Sequence, residues 1–128
     1  MLIAAQIVAA LAALLHVVFF VFESVLWSRP QVYRRFGIGS QAQADAIQPM
    51  AYNQGFYNLA LAIGVLVGVV LAGQDGDQLL IGKTLIVFGT GCMAVAGLVL
   101  ASTGAKYRRA AAIQFVPAAL ALILTLAA

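Results

Sequence analysis

The sequence predicts an all-α fold: a transmembrane antiparallel four-helix bundle with a cytoplasmic interfacial segment between helices 1 and 2. Three observations carry this. The 128 residues are 64% hydrophobic and only 9% charged, where a soluble domain would carry about a quarter charged residues. Four apolar stretches reach the length of about 20 residues that a helix needs to cross a bilayer. Charge sorts by loop, with basic residues in the first and third connections and aspartates in the second. Little chain is left over, so residues 1–128 read as a single integral membrane domain.

The first span runs from about Leu2 to Trp27. It lacks a basic leader, its apolar run exceeds that of a secretory signal, and further spans follow, so it reads as a retained helix. Ser28-Arg29-Pro30 ends it, because proline has no amide donor and disfavours helix in the residue before it. Trp27, Tyr33 and Phe36 suit headgroup depth, where rings meet both apolar and wet neighbours. Gly37-Ile38-Gly39 turns the chain. Ser40 with Gln43 three residues on forms a capping box that starts a helix. That helix is expected to reach Pro49 and to kink or restart there as the second span, 51–72.

Gly73-Gln74-Asp75-Gly76-Asp77 is a short turn that makes the second and third spans neighbours. The third span covers about 79–102 and ends on Gly104 with Lys106 close behind, a glycine stop with a basic residue that suits the helix dipole. The fourth covers about 110–126. Small residues form candidate packing faces: Ala60, Gly64 and Gly68 in the second span, and Gly82, Gly89, Ala96 and Thr103 at seven-residue intervals in the third. Helices in lipid associate through close van der Waals contact, which such residues permit.

Arg29, Arg34 and Arg35 lie in the first loop and Lys106, Arg108 and Arg109 in the third, against Asp75 and Asp77 in the second. Short loops rich in Lys and Arg stay cytoplasmic. Loops 1–2 and 3–4 are therefore expected inside, both termini outside, and the protein in a bacterial cytoplasmic membrane. Lys83 dissents, about a turn into the third helix, with a stem long enough to reach the interface near the aspartates. The net charge of +3 thus reads as topology and attraction to anionic lipid, and nucleic acid is not an expected partner. Cys92, the lone cysteine, excludes an internal disulfide and reads as a small packing residue.

The polar residues inside the spans carry the functional reading. An ionisable residue in a span marks a candidate site by default, and His16 and Glu23 fall within about 20° of one face and about 10 Å apart along the first helix. Trp27 continues that face. The second span begins with Tyr52-Asn53-Gln54-Gly55-Phe56-Tyr57-Asn58, in which Asn53 and Tyr57 share one face and Gln54 and Asn58 another. The fourth span adds Gln114, and Pro117 leaves the carbonyl of Ile113 without its helical donor. The expected ligand-binding set is therefore His16, Glu23, Trp27, Asn53, Gln54, Tyr57, Asn58 and Gln114, in the cytoplasmic half of the bundle. One histidine, one intramembrane glutamate and one distant cysteine do not make a metal site, and neither metal nor cofactor is expected.

Three functions compete. The first is binding of a small amphipathic or lipid-like molecule, with Glu23 and His16 as the candidate acid–base groups should isomerase-type chemistry follow. The second is a structural or accessory subunit, docking on a second copy or another membrane protein. The third is a small proton-coupled transporter acting as an oligomer, ranked last because no inverted repeat is evident.

His16, Glu23, Trp27, Phe36, the run Asn53-Gln54-Gly55-Phe56-Tyr57-Asn58, and Gln114 with Pro117 together resemble the pattern of domain of unknown function 1304 (DUF1304), a family of small bacterial membrane proteins. The resemblance spans essentially the whole chain and is most specific in the Asn-Gln-Gly-x-Tyr-Asn run. It implies four membrane helices and no particular activity. Phe115 departs from the glycine that the pattern places after the glutamine.

Overall fold

The computed structural model describes all of residues 1–128. It is helical throughout its regular structure. Helix α1 spans Leu2–Phe20 and widens into a π-turn over Val21–Val25. A short α2, Pro30–Tyr33, passes into a 3₁₀ turn over Arg34–Phe36. Helices α3 (Gln41–Leu71), α4 (Asp77–Ser102) and α5 (Arg108–Ala127) complete the chain, with a 3₁₀ turn, Ala105–Tyr107, leading into α5. Four helical stretches are long and apolar enough to cross a membrane: Leu2–Val25, Gln41–Leu71, Asp77–Ser102 and Ala105–Ala127.

Burial supports the same conclusion from the side chains. In α1, Ala5, Ala9 and Ala12 are fully buried while Ile3, Ile7, Leu11, Leu14 and Val18 are exposed. In α5, Ala111, Ala118, Ala121 and Thr125 are buried while Val116, Leu120, Ile123 and Leu126 are exposed. Water would force the opposite arrangement. Lipid tails are as apolar as leucine, so small residues take the helix contacts and large ones face outward. These features mark an integral membrane protein.

The chain's contacts divide it into two compact units. The first comprises residues 1–15 and 61–128. Within it, a Cβ on Gly82 would strike the backbone of Ala72 and Gly68, and one on Gly89 would strike the Val65 side chain. Rising numbers in α4 thus meet falling numbers in α3. Gly97 sits against Phe115 of α5, where an added Cβ would lie 2.8 Å from the phenylalanine Cβ. Near the start of α1, Gln6 Nε2 donates to the Val69 carbonyl at 2.9 Å.

Two expectations from the sequence are corrected in this unit. The seven-residue face of the third span does not hold as one seam: Gly82 and Gly89 pack on α3, but Ala96 is exposed and the buried contact moves to Gly97 against α5. A seven-residue repeat drifts by about 20° per repeat on a straight α-helix, so the contact passes to a different residue and a different partner. Gly64 likewise does not join Gly68 in close contact, since nothing lies within 4 Å of its Cβ direction.

The second unit is residues 16–60. Pro30 opens α2 at its first turn, where its missing donor is unused in any helix. The next turn closes in a Schellman arrangement. Gly37 is left-handed (φ 79°), its N–H donates to Arg34, and the N–H of Ile38 reaches back to Tyr33. The capping box forms with one change. Gln43 N–H donates to Ser40 Oγ at 3.2 Å, while the Gln43 side chain reaches back to the N–H of Gly39 rather than that of Ser40.

From Gln41 the helix continues unbroken to Leu71. The expected restart at Pro49 does not occur. Proline there removes one donor, and its flank, including Asp45, is exposed, so the freed carbonyl can be solvated. At 31 residues the helix is about 46 Å long, beyond the roughly 30 Å of hydrocarbon. That length leaves room for its polar first turns outside an apolar layer.

Loop and helix meet in a small core. Trp27, Tyr33, Ala44 and Ala51 are buried together, with Phe36, Ile38 and Ile47 packed around them. Trp27 and Tyr33 are thus enclosed by protein, 5% and 3% exposed. The indole Nε1 donates to the Ala44 carbonyl at 2.9 Å, which fastens the loop to α3.

Candidate functional site

The site is built on the π-turn. There Leu26 N–H donates to the carbonyl of Val21, five residues back, at 2.9 Å. Each such turn holds one residue more than an α-turn and re-aims the side chains within and beyond it; π-turns are frequent at functional positions. Glu23 lies at the centre of this segment and is 8% exposed.

Its partner comes from α3. Ala44, Ala51, Gly55, Asn58, Ala62, Val65 and Gly68 are buried along that helix at steps of three, four or seven residues, which define one helical face. Asn58 is the only polar side chain among them, and its Nδ2 donates to Glu23 Oε2 at 3.1 Å in a buried setting. A carboxyl group and an amide thus meet away from water, the setting in which a hydrogen bond matters most.

A second tie lies one residue along. Ser24 Oγ donates to the Tyr52 carbonyl at 2.8 Å. Gly55 makes this approach possible, because a Cβ there would collide with Ser24 Oγ and lie 3.1 Å from its backbone nitrogen. The surrounding wall is aromatic: Phe20 and Phe56 meet edge to face at 5.2 Å between centroids, and Tyr52 leans on Phe56 at 5.0 Å. Arg35, from the connecting segment, places its guanidinium over the Phe22 ring at 5.5 Å.

The sequence-predicted residues separate clearly. His16 is buried, with its ring edge-on to Phe19 at 5.2 Å. Glu23 and Asn58 are brought into contact. Trp27 is buried, but its one donor is committed to Ala44. Asn53, Gln54 and Tyr57 are exposed, so of the amide-rich run only Asn58 turns inward. Gln114 belongs to the other unit, half-buried on the α5 face that also carries Ala111, Ala118, Ala121 and Thr125.

Ser24 and Gly55 were not anticipated as a pair. The signal was present as a spacing: Ala51, Gly55, Asn58, Ala62 and Val65 alternate steps of four and three, the pattern of a buried seam. Gly55 lies on that seam beside the asparagine that reaches Glu23.

No curated protein and no solved structure matches the chain. A family model described as "Protein of unknown function (DUF1304)" matches residues 10–126. The match covers nearly the whole chain, including the π-turn, the amide-rich run and Gln114, and on it the chain belongs to the DUF1304 family.

Proposed function

We propose that this protein binds a small amphipathic or lipid-like molecule whose polar end meets Glu23 and whose apolar part lies along Phe20 and Phe56. The observation that carries the reading is a buried carboxyl group in a membrane-capable helix, held by an amide. An ionised carboxylate has about four acceptor positions, and Asn58 supplies a donor to one oxygen. A ligand hydroxyl or amine would add another. A glutamine would serve as well for helix register alone, and the usual reason to keep an acid at such depth is function. His16 contributes a second polar contact, and Asn53, Gln54 and Tyr57 orient the ligand where it emerges. In this reading the spans form one antiparallel bundle, and the basic loops place the Glu23 end on the cytoplasmic side of a bacterial membrane.

The experiment is mass spectrometry of molecules that copurify with the full chain, comparing wild type with Glu23→Gln. The replacement amide oxygen still accepts from Asn58, so the fold is kept while the acid is lost. Retention by wild type and loss in the variant support the proposal; equal retention, or no bound molecule in either, overturns it.

A second reading, an accessory subunit, is favoured by one observation: Ala60 is exposed and the Cβ direction of Gly64 is open, leaving small residues on α3 that this chain does not cover. A partner helix there would be lost in Gly64→Leu and kept in Glu23→Gln, read as complex size in mild detergent.

A further inference from the structure

A basic side chain, Lys83, lies within a membrane-capable helix, in the unit that does not contain Glu23. Lys83 lies six residues past Asp77, the first residue of α4, so its Cα is about 9 Å along the helix from that start. Asp75 and Asp77 are the nearest acids in sequence, yet neither forms an ion pair with it, and its ammonium has no hydrogen-bond acceptor within the chain. Six residues of α-helix rotate a side chain to about 240° from Asp77, away from the aspartate face.

What Lys83 does is line a groove of about 270 Å³ with Thr84, Val87, Thr125 and Leu126. The groove is apolar apart from this lysine and two threonines, and both hydroxyls are committed to their own helices: Thr84 Oγ1 donates to Leu80 at 2.8 Å and Thr125 Oγ1 to Ala121 at 2.7 Å. The ammonium is left as the one available donor, at the rim of an apolar trough. A charge at this depth needs a counter-ion, and the chain supplies none. Charge complementarity and shape together specify the occupant: an anion joined to an apolar chain.

We infer that the groove between α4 and α5 binds one anionic glycerophospholipid, in the leaflet that holds the Gly73–Gly76 turn. The phosphate accepts from Lys83 Nζ, and the first part of an acyl chain lies over Val87 and Leu126. Its lining residues belong to a different unit from Glu23, and the inference does not depend on the ligand proposed there.

The test is native mass spectrometry of the full chain in detergent, titrated with phosphatidylglycerol, with phosphatidylcholine and with inorganic phosphate. One phosphatidylglycerol is expected to be retained in preference to phosphatidylcholine, and inorganic phosphate is not retained, since the groove supplies the rest of the affinity. Lys83→Met is expected to lower phosphatidylglycerol retention about fivefold, the equivalent of about 1 kcal/mol for one basic side chain near an anionic surface, and Lys83→Arg restores it. Val87→Trp fills the trough, leaves the charge in place, and is expected to reduce retention of the same lipid; thermal unfolding confirms that each variant is folded. Equal retention of the two lipids, retention unchanged in both Lys83→Met and Val87→Trp, or inorganic phosphate binding as well as the lipid would overturn the inference.

Discussion

Asn58 and Glu23, 35 positions apart, share a buried hydrogen bond of 3.1 Å from the asparagine amide to carboxylate Oε2. The bond joins the π-turn at the end of the first span to the continuous buried face of α3. It predicts an asymmetry between its two ends. Asn58→Leu leaves the carboxyl group buried beside an apolar side chain, and should destabilise by about 1–3 kcal/mol, the range for a buried group stripped of its partner. Glu23→Gln keeps an acceptor for Asn58 and should cost less than about 1 kcal/mol. Unfolding in mixed detergent micelles measures both, and equal losses would mean that the bond does not hold the helices.

Gly55 supports a second prediction. A methyl group at this position meets Ser24 Oγ and its backbone nitrogen, so Gly55→Ala must push α3 away from the π-turn. That shift breaks the Ser24–Tyr52 bond and strains the Asn58–Glu23 bond three residues on. A loss of about 1–3 kcal/mol is expected, typical of overpacking at a tight contact. Ser24→Ala removes the hydroxyl but not the backbone contact, so the double variant should recover only part of the loss. A double-mutant cycle gives the coupling, and full additivity would show that the two residues do not meet.

Trp27 provides an internal reporter, since it is the only tryptophan in the chain. At 5% exposure, with its N–H on the Ala44 carbonyl, its emission should be blue-shifted and shielded from aqueous quenchers. Trp27→Phe preserves an aromatic ring beside Phe36 and Tyr33 but deletes the donor, for an expected loss of about 0.5–1.5 kcal/mol. Emission that is red-shifted and freely quenched would place the indole outside the small core.

The spans, the break before Pro30, the turn at Gly37 and the start signal at Ser40 were legible because each is local: hydropathy, a missing donor, a left-handed glycine, a side chain that caps. The pairing of Glu23 with Asn58 was legible only in part. Helix angles put Asn58 beside Gln54, yet the buried face of α3 is set by the tight approach at Gly55, which turns Asn58 inward and leaves Gln54 outside. The π-turn has no local signature in Val21–Val25, and its extra residue rotates the side chains beyond it, so Trp27 leaves the His16 face for the loop core. Pro49 misled because a missing donor ends a helix only where the freed carbonyl lacks a substitute.

The same distinction between small residues that pack and small residues that do not separates Gly82 and Gly89 from Gly64. All three lie in membrane-capable helices and would be weighted equally by composition. Adding a methyl group at Gly82 drives it into the backbone of α3, which cannot yield, and at Gly89 into Val65, whose branched side chain has little freedom to move. Gly82→Ala should therefore be the most damaging, by about 1–3 kcal/mol, and Gly89→Ala intermediate. Gly64→Ala meets nothing within 4 Å and replaces a poor helix former by the best one, so it should be neutral or stabilise by up to about 1 kcal/mol. Ranking the three by unfolding in the same detergent tests the α3–α4 contact directly, because a uniform response would mean that these helices do not approach through their glycines.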